Sequence, residues 1–284
     1  MIPICLALAA ALCWGSADFA GGLASRRIAA LYVVAIAHSA SLAAVFLIAL
    51  GSHSPWPTLH TFEFGLFAGL AGGIGLVFFF RALSSGHMGA TTSVTGVVTA
   101  AVPVLYSLLT EGPPAPIQFA GFVLAAAAIW LIAAKPDGGH LNWRGLITAM
   151  LTGIAFGSML VLLRLANGGA LWPLVASRVG SATVGVAGSL WVIVQTRQQP
   201  VKATSRIPAG IIALAVFSGL LDAGGNFLYT TSALRGRLDV AGVLSSLYPG
   251  VTILLAAWLL REHTTRRQAI GMGLAIGAVA LISI

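Results

Sequence analysis

The sequence predicts an all-α integral membrane protein of about ten transmembrane helices, arranged as two inverted five-helix repeats. Three observations carry that prediction. Of 284 residues, 58% are hydrophobic and only 8% are charged, roughly a third of the charge that a water-facing domain carries. The apolar runs are each close to the roughly 20 residues that cross a bilayer as a helix, and they lack the short alternating pattern of barrel strands. Finally, segments of the first half return in the second at a nearly constant offset, and an odd number of spans per copy inserts the second copy upside down.

The runs lie near 2–24, 29–50, 62–83, 88–110, 116–134, 144–165, 171–194, 208–233, 239–260 and 266–284. The first begins without a basic region and outlasts a signal peptide, so it is expected to be retained as a span. It ends at Ser25-Arg26-Arg27, and the second ends at GSHSPWPT (51–58). Arg81 marks the end of the third, and TEGPPAP (110–116) separates the fourth from the fifth. KPDGGHLNWR (135–144) divides the halves, QTRQQPVKATSRIP (195–208) follows the seventh span, and LRGRLD (234–239) and REHTTRR (261–267) bound the ninth. No such connection is large enough to fold as a soluble domain, so the chemistry must lie within the membrane. The 34 glycines are expected to serve close helix packing. Cys5 and Cys13 both fall in the first run and are expected to be small buried hydrophobes.

The repeat is visible residue by residue. ALSSGHMGA (82–90) matches ALRGRLDVA (233–241), and LLTEGPPAPIQFAGFVLA (108–125) matches LLREHTTRRQAIGMGLA (259–275). The second match aligns Glu111 with Glu262, Gln118 with Gln268 and Gly121 with Gly271, at offsets of 150 or 151. WGS at 14–16 parallels FGS at 156–158, an offset of 142.

WGSADF in the first span, Ala-Leu ending the third and eighth, and the Glu, Gln, Gly, Leu series entering the fifth and tenth resemble the drug/metabolite transporter superfamily. The likeness is to its ten-helix exporters with two EamA domains, here 1–136 and 142–284. It implies two inverted five-helix bundles around a central cavity and export of small metabolites, often amino acids, or of drugs. Pro103 and Pro249, in the fourth and ninth spans, stand out of register, so those helices are expected to bend differently.

Charge gives two answers on orientation. Connections after odd-numbered spans hold Arg26, Arg27, Arg81, Lys135, Arg144, Arg197, Lys202, Arg206, Arg261, Arg266 and Arg267, against Arg164, Arg235 and Arg237 after even-numbered ones. The positive-inside rule puts the odd connections in the cytoplasm and both termini outside, whereas the resemblance implies both termini inside. The net charge of +8 lies mainly at span ends, with no basic cluster interleaved with aromatics, so nucleic acid is excluded as a partner. The expected setting is a cell membrane, the plasma or inner membrane of a bacterium, with the chain acting as a monomer.

A charge at bilayer depth costs at least about 2.5–3.5 kcal/mol, so intramembrane ionisable groups are functional candidates. Asp18, Arg178 and Asp222 are such groups, and His38 is a less costly one. Trp14, Asp18 and Gly22 recur at helical spacing on one face, as do Asp222, Asn226, Tyr229 and Ala233 in the eighth span. Two readings compete: Asp18 or Asp222 locks helices by pairing with Arg178, or these groups line a cavity and bind substrate or a proton. Arg81 and Arg164 are expected to snorkel. The hydroxyls of ATTSVTGVVTA (90–100) and Ser245-Ser246 bond back to their own helices or offer substrate contacts. Phe79, from the FFF at 78–80, and the hydroxyls of Tyr229 and Tyr248 are candidate cavity walls.

The expected substrate-binding set is therefore Trp14, Asp18, His38, Phe79, Arg178, Asp222, Asn226, Tyr229 and Tyr248. Asp18 and Asp222 are candidate proton carriers, and Arg178 suits a substrate carboxylate. There is no nucleophile–base pair, metal-ligand spacing or Walker lysine, so no catalytic residue, metal or cofactor is expected. The function class is a secondary transporter or exporter of small polar metabolites, with amino acids and related compounds foremost. The alternatives are a facilitator of drugs, sugars or nucleosides and, further off, an intramembrane enzyme on a lipid-linked substrate.

Overall fold

Every expected run forms helix in the computed structural model, which describes residues 1–84, 88–133, 143–196, 207–259 and 265–282. The first half holds α1 (Ile2–Ser25), α2 (Ala30–Gly51), α3 (Leu59–Ser84), α4 (Met88–Thr110) and α5 (Pro116–Ala133). The second holds α6 (Trp143–Leu165), α7 (Leu171–Thr196), α8 (Ala209–Arg235), α9 (Leu238–Ser245), α10 (Tyr248–Leu259) and α11 (Arg266–Ile282). α9 and α10 are two segments of one span, so the described residues form ten spans and no strand. Seven of these, among the described residues, are long and apolar enough to cross a membrane by length and composition. α3 begins at Leu59, ahead of the expected 62, because Thr58 Oγ1 caps it by accepting the Thr61 N–H at 3.2 Å.

The fold is two inverted repeats related by a pseudo-two-fold axis. α1 packs along α8 as α6 packs along α3, and α2 along α8 as α7 along α3, while α2–α7 and α5–α11 pair with each other across the axis. The α5–α11 crossing shows why the repeat is legible in sequence. A Cβ on Gly121 would lie 2.7 Å from the side chain of Ile282, and one on Gly271 would lie 2.8 Å from the backbone nitrogen of Ile132. Both the glycines and the isoleucines they meet are 150 residues apart. Gln118 and Gln268 repeat a second feature, each Oε1 accepting the backbone N–H three residues earlier, from Ala115 at 3.3 Å and from Thr265 at 2.9 Å.

The shared Gly-Ser of WGS and FGS has the same kind of cause. A Cβ on Gly15 would lie 2.6 Å from the carbonyl oxygen of Tyr248 on α10, and one on Gly157 would lie 3.0 Å from that of Thr99 on α4. Only glycine admits these approaches. Hydroxyls then reach carbonyls across the contacts: Ser218 and Ser232 of α8 donate to Ala17 and Pro3 of α1, at 2.8 and 2.6 Å. Thr95 and Thr99 of α4 donate to Ala149 and Gly153 of α6, at 3.1 and 3.4 Å. Ser245 and Ser246 instead bond back to Ala241 and Gly242 of their own segment, both at 2.7 Å.

Pro249 interrupts its span, since it lacks an N–H and disfavours helix before it; α9 ends at Ser245 and α10 starts at Tyr248. α4 runs unbroken through Pro103. The two spans therefore differ, as their unmatched prolines require. Cys13 is half-buried and Cys5 exposed, which corrects the expectation that both are buried: Cys5 lies on an outer face of α1, with Ile2 and Leu12 among the exposed apolar residues of that helix.

Gly271→Ala is expected to lower the melting temperature in detergent by an overpacking cost of about 1–3 kcal/mol. Gly273→Ala, where an added Cβ meets nothing within 4 Å, is expected to hold or raise it, because alanine is the better helix former by about 1 kcal/mol. A thermal unfolding series on the two variants checks the sign of both effects.

Candidate functional site

Three helices bring the deepest charges together. Arg178, on α7, is 1% exposed, too far from either end of its helix to reach water. Its Nη1 donates to Asp222 Oδ2 on α8 at 2.5 Å. The same Nη1 lies 3.4 Å from His38 Nε2 on α2, and that nitrogen lies 3.7 Å from Asp222 Oδ2. A guanidinium N–H only donates, so in the Arg178 contact His38 Nε2 is the acceptor. His38 and Arg178 are 140 residues apart and lie at similar depths on the second helix of each repeat. Arg178 Nε and Nη2, His38 Nδ1 and the Tyr248 hydroxyl are buried and have no hydrogen-bond partner among the described residues.

A second cluster sits on α1. Trp14 Nε1 donates to Asn226 Oδ1 at 3.0 Å. Its ring lies 5.7 Å from that of Tyr229 and meets Tyr248 edge-on at 6.5 Å. One turn further along α1, Asp18 is half-buried and makes no hydrogen bond or ion pair with any described residue.

Both clusters face one cavity near the middle of the spans, of roughly 530 Å³ with its mouth included. Seven of the expected residues line it: Trp14, Asp18, His38, Arg178, Asp222, Asn226 and Tyr248. Phe79 and Tyr229 do not, which corrects their assignment to the wall. Phe79 stands behind it, 1% exposed, with its ring 5.8 Å from Phe156, which takes the lining position. Tyr229 is fully buried, spending its hydroxyl on the Leu160 carbonyl at 3.1 Å and its ring on Trp14. Arg81 is exposed, as snorkelling requires, whereas Arg164 is only half-buried and keeps its Nε buried.

Sequence reasoning missed the opposite wall, formed by Gly69, Gly72 and Leu76 of α3 with Phe156, Met159 and Leu160 of α6. Nothing in these residue types singles them out. The repeat offset does: Phe156 and Leu160 correspond to Trp14 and Asp18 at 142, and Gly72 and Leu76 to Asp222 and Asn226 at 150. Each of these polar residues of the α1–α8 wall thus has an apolar or small counterpart on α3 or α6. Ser177 and Ser181 complete the lining, the latter bonded to the Ser177 carbonyl at 3.0 Å. Thr99, inside the hydroxyl cluster singled out above, lines it too. Among the described residues no three His, Cys, Asp or Glu side chains gather to hold a metal ion.

Asp222→Ala strands the Arg178 charge and is expected to destabilise the protein by about 3–5 kcal/mol. Arg178→Met combined with Asp222→Leu removes both charges and is expected to recover most of that loss. Asp18→Asn breaks no hydrogen bond and is expected to melt at or above the wild-type temperature. Thermal unfolding in detergent reads all three.

The comparisons with known proteins agree with this architecture. Twenty-eight chains of solved structure match the fold. One, described only as the crystal structure of a protein, superposes with a TM-score of 0.77 at 17% identity, over 99% of this chain and 98% of its own. No curated protein matches the sequence. A family model, that of the EamA-like transporter family, matches twice, over residues 1–134 and 143–284. With ten spans in two inverted repeats around a central cavity, and both halves matched by the same model, the chain belongs to the EamA-like transporter family.

Proposed function

We propose that this membrane transporter is a secondary exporter of small polar metabolites, of the amino-acid class and its relatives, working by alternating access as a monomer. The family supplies the class, a carrier of small solutes across a bilayer. The observation that carries the finer reading is the midplane cavity with its unmet hydrogen-bonding groups. Buried polar groups without partners are rare in finished structures, and here the orphaned Arg178 donors and Tyr248 hydroxyl belong to residues of one cavity together with Asp18. A bound solute with complementary groups satisfies such a set. The halves 1–136 and 142–284 are the repeats in this reading, but their helices interleave, so the moving bodies draw helices from both.

A tie between the halves supports a gated pathway. At the corner between α8 and α9, Arg237 grips Asp239 with Nε at 3.1 Å and Nη2 at 2.8 Å, and its Nη2 also donates to the Gly112 carbonyl at 3.0 Å. Glu111 accepts from Ser107 at 2.8 Å and from the Leu238 N–H at 3.3 Å. These contacts join the ends of α4 and α9 on one face of the membrane, and an alternating pathway must release one face at a time.

Asp18 is the proton carrier in this scheme, since a cavity carboxylate without a cationic partner holds a proton whenever no substrate is bound. In proteoliposomes made acid inside, labelled substrate from a mixture of amino acids and amines is expected to accumulate against its gradient. Asp18→Asn is expected to cut that accumulation at least tenfold. Unchanged accumulation in both Asp18→Asn and Asp222→Asn would exclude carboxylate coupling.

A further inference from the structure

The buried polar atoms that the cavity residues leave unpaired share one polarity: they have hydrogens to give. Arg178 Nη1 is committed to Asp222, while Nε and Nη2 are buried with no partner among the described residues. Neither nitrogen can accept a hydrogen bond. His38 Nε2 is the acceptor toward Arg178, so the ring's hydrogen sits on Nδ1, another buried atom without a partner among the described residues. The Tyr248 hydroxyl is unpartnered in the same way. An acceptor completes such a set, and a buried donor left without one carries the full cost of its desolvation.

The shape of the guanidinium narrows the acceptor. Nε–H and one Nη2–H run side by side along one edge, a fork that matches the two oxygens of a carboxylate. The contact with Asp222 uses the remaining nitrogen, Nη1, so a carboxylate can join Arg178 on the free edge without displacing Asp222. A phosphate fits the same fork but sets more negative charge beside Asp222 than a carboxylate does. On the α3–α6 side stand Leu76, Phe156, Met159 and Leu160, with no charge among them. That wall suits an apolar body.

From this donor set and the split lining we infer that the substrate is a carboxylate with an apolar body. Its two oxygens lie on Nε and Nη2 of Arg178, Asp222 stays on Nη1, and its body lies against α3 and α6. The inference rests on the reading of the cavity as a transport site and states which end of the amino-acid class the site recognises.

Phenylalanine and phenylalaninamide test it, because they share ring and amine and differ only in that the amide lacks the negative charge and one oxygen. Isothermal titration of the detergent-purified full chain is expected to show phenylalanine binding about tenfold tighter or more, a gap of about 1.4 kcal/mol. Arg178→Lys keeps a cation for Asp222 and loses the fork. This variant is expected to melt near the wild-type temperature and to bind phenylalanine about tenfold more weakly. Equal or tighter binding of the amide overturns the inference. So does wild-type affinity for phenylalanine in a folded Arg178→Lys chain, or a wild-type chain that binds neither ligand. Should Arg178→Lys fail to fold, the ligand pair on the wild-type chain decides alone. Flux into liposomes separates this claim from transport itself. Phenylalaninamide carried while phenylalanine is not leaves a transporter and sinks the carboxylate assignment. Phenylalanine bound with the expected preference but carried into no liposome keeps the assignment and sinks the transport reading.

Discussion

A guanidinium held 1% exposed at the level of the bilayer interior is the constraint on which the site depends. Arginine does not lose its charge in proteins, so α7 can cross the membrane only if a neighbouring helix supplies an anion. Asp222 does so, and its position on α8 fixes the relative height of the two helices. His38 on α2 completes the contact, and these three helices bring together the second spans of both repeats. A pair of this kind seldom stabilises a protein beyond what apolar packing would give. Its retention in a bundle otherwise built from glycine, alanine and aliphatic side chains is best understood through the cavity it borders.

The repeats share what packing requires and differ in what the cavity requires. Gly15 and Gly157, or Gly121 and Gly271, occupy equivalent contacts because two helices cannot approach so closely with a Cβ between them. The lining positions follow the same symmetry in backbone placement and break it in chemistry. Asp18 corresponds to Leu160, Asp222 to Gly72, and Asn226 to Leu76. A symmetric pair of identical halves would give a cavity with the same polarity on both sides. Divergence at these few positions yields a site with a charged wall and an apolar wall, which orients an amphipathic ligand.

Much of this was legible in the sequence. The ten spans followed from run length alone, since backbone groups in lipid must bond within their own helix, and the inverted plan followed from the Gln118/Gln268 and Gly121/Gly271 matches. The charged members of the site were legible because burying Asp18, Arg178 or Asp222 is too costly to be incidental. The apolar wall was not, because a leucine facing a cavity and a leucine facing lipid satisfy the same local physics. Phe79 and Tyr229 were misplaced for a related reason. A helical face is broad, and whether a side chain on it reaches the cavity or stops one layer behind depends on the neighbouring helix, Phe156 in one case and Trp14 in the other. The interleaving of the halves was also hidden, for periodicity says which face is buried and not which partner buries it.

The unmatched prolines bear on how such a structure moves. With Thr99 and Tyr248 meeting corresponding glycines, Gly157 and Gly15, α4 and the α9–α10 span are equivalent elements, yet only the latter is broken. The break falls at Ser246 and Leu247, immediately before Tyr248, so a lining residue and the anchor on Gly15 sit at the start of a segment that is separate from α9. α9 is held from its other end, where Asp239 is tied through Arg237 to Gly112. A change at the membrane face that releases α9 therefore need not drag α10 with it, whereas α4 must respond as one rod. In an inverted-repeat carrier the two faces open by equivalent motions only when the equivalent elements are equally stiff. Here one is jointed beside the cavity and the other is not, so the break falls in only one of two equivalent elements in a chain whose packing is otherwise symmetric.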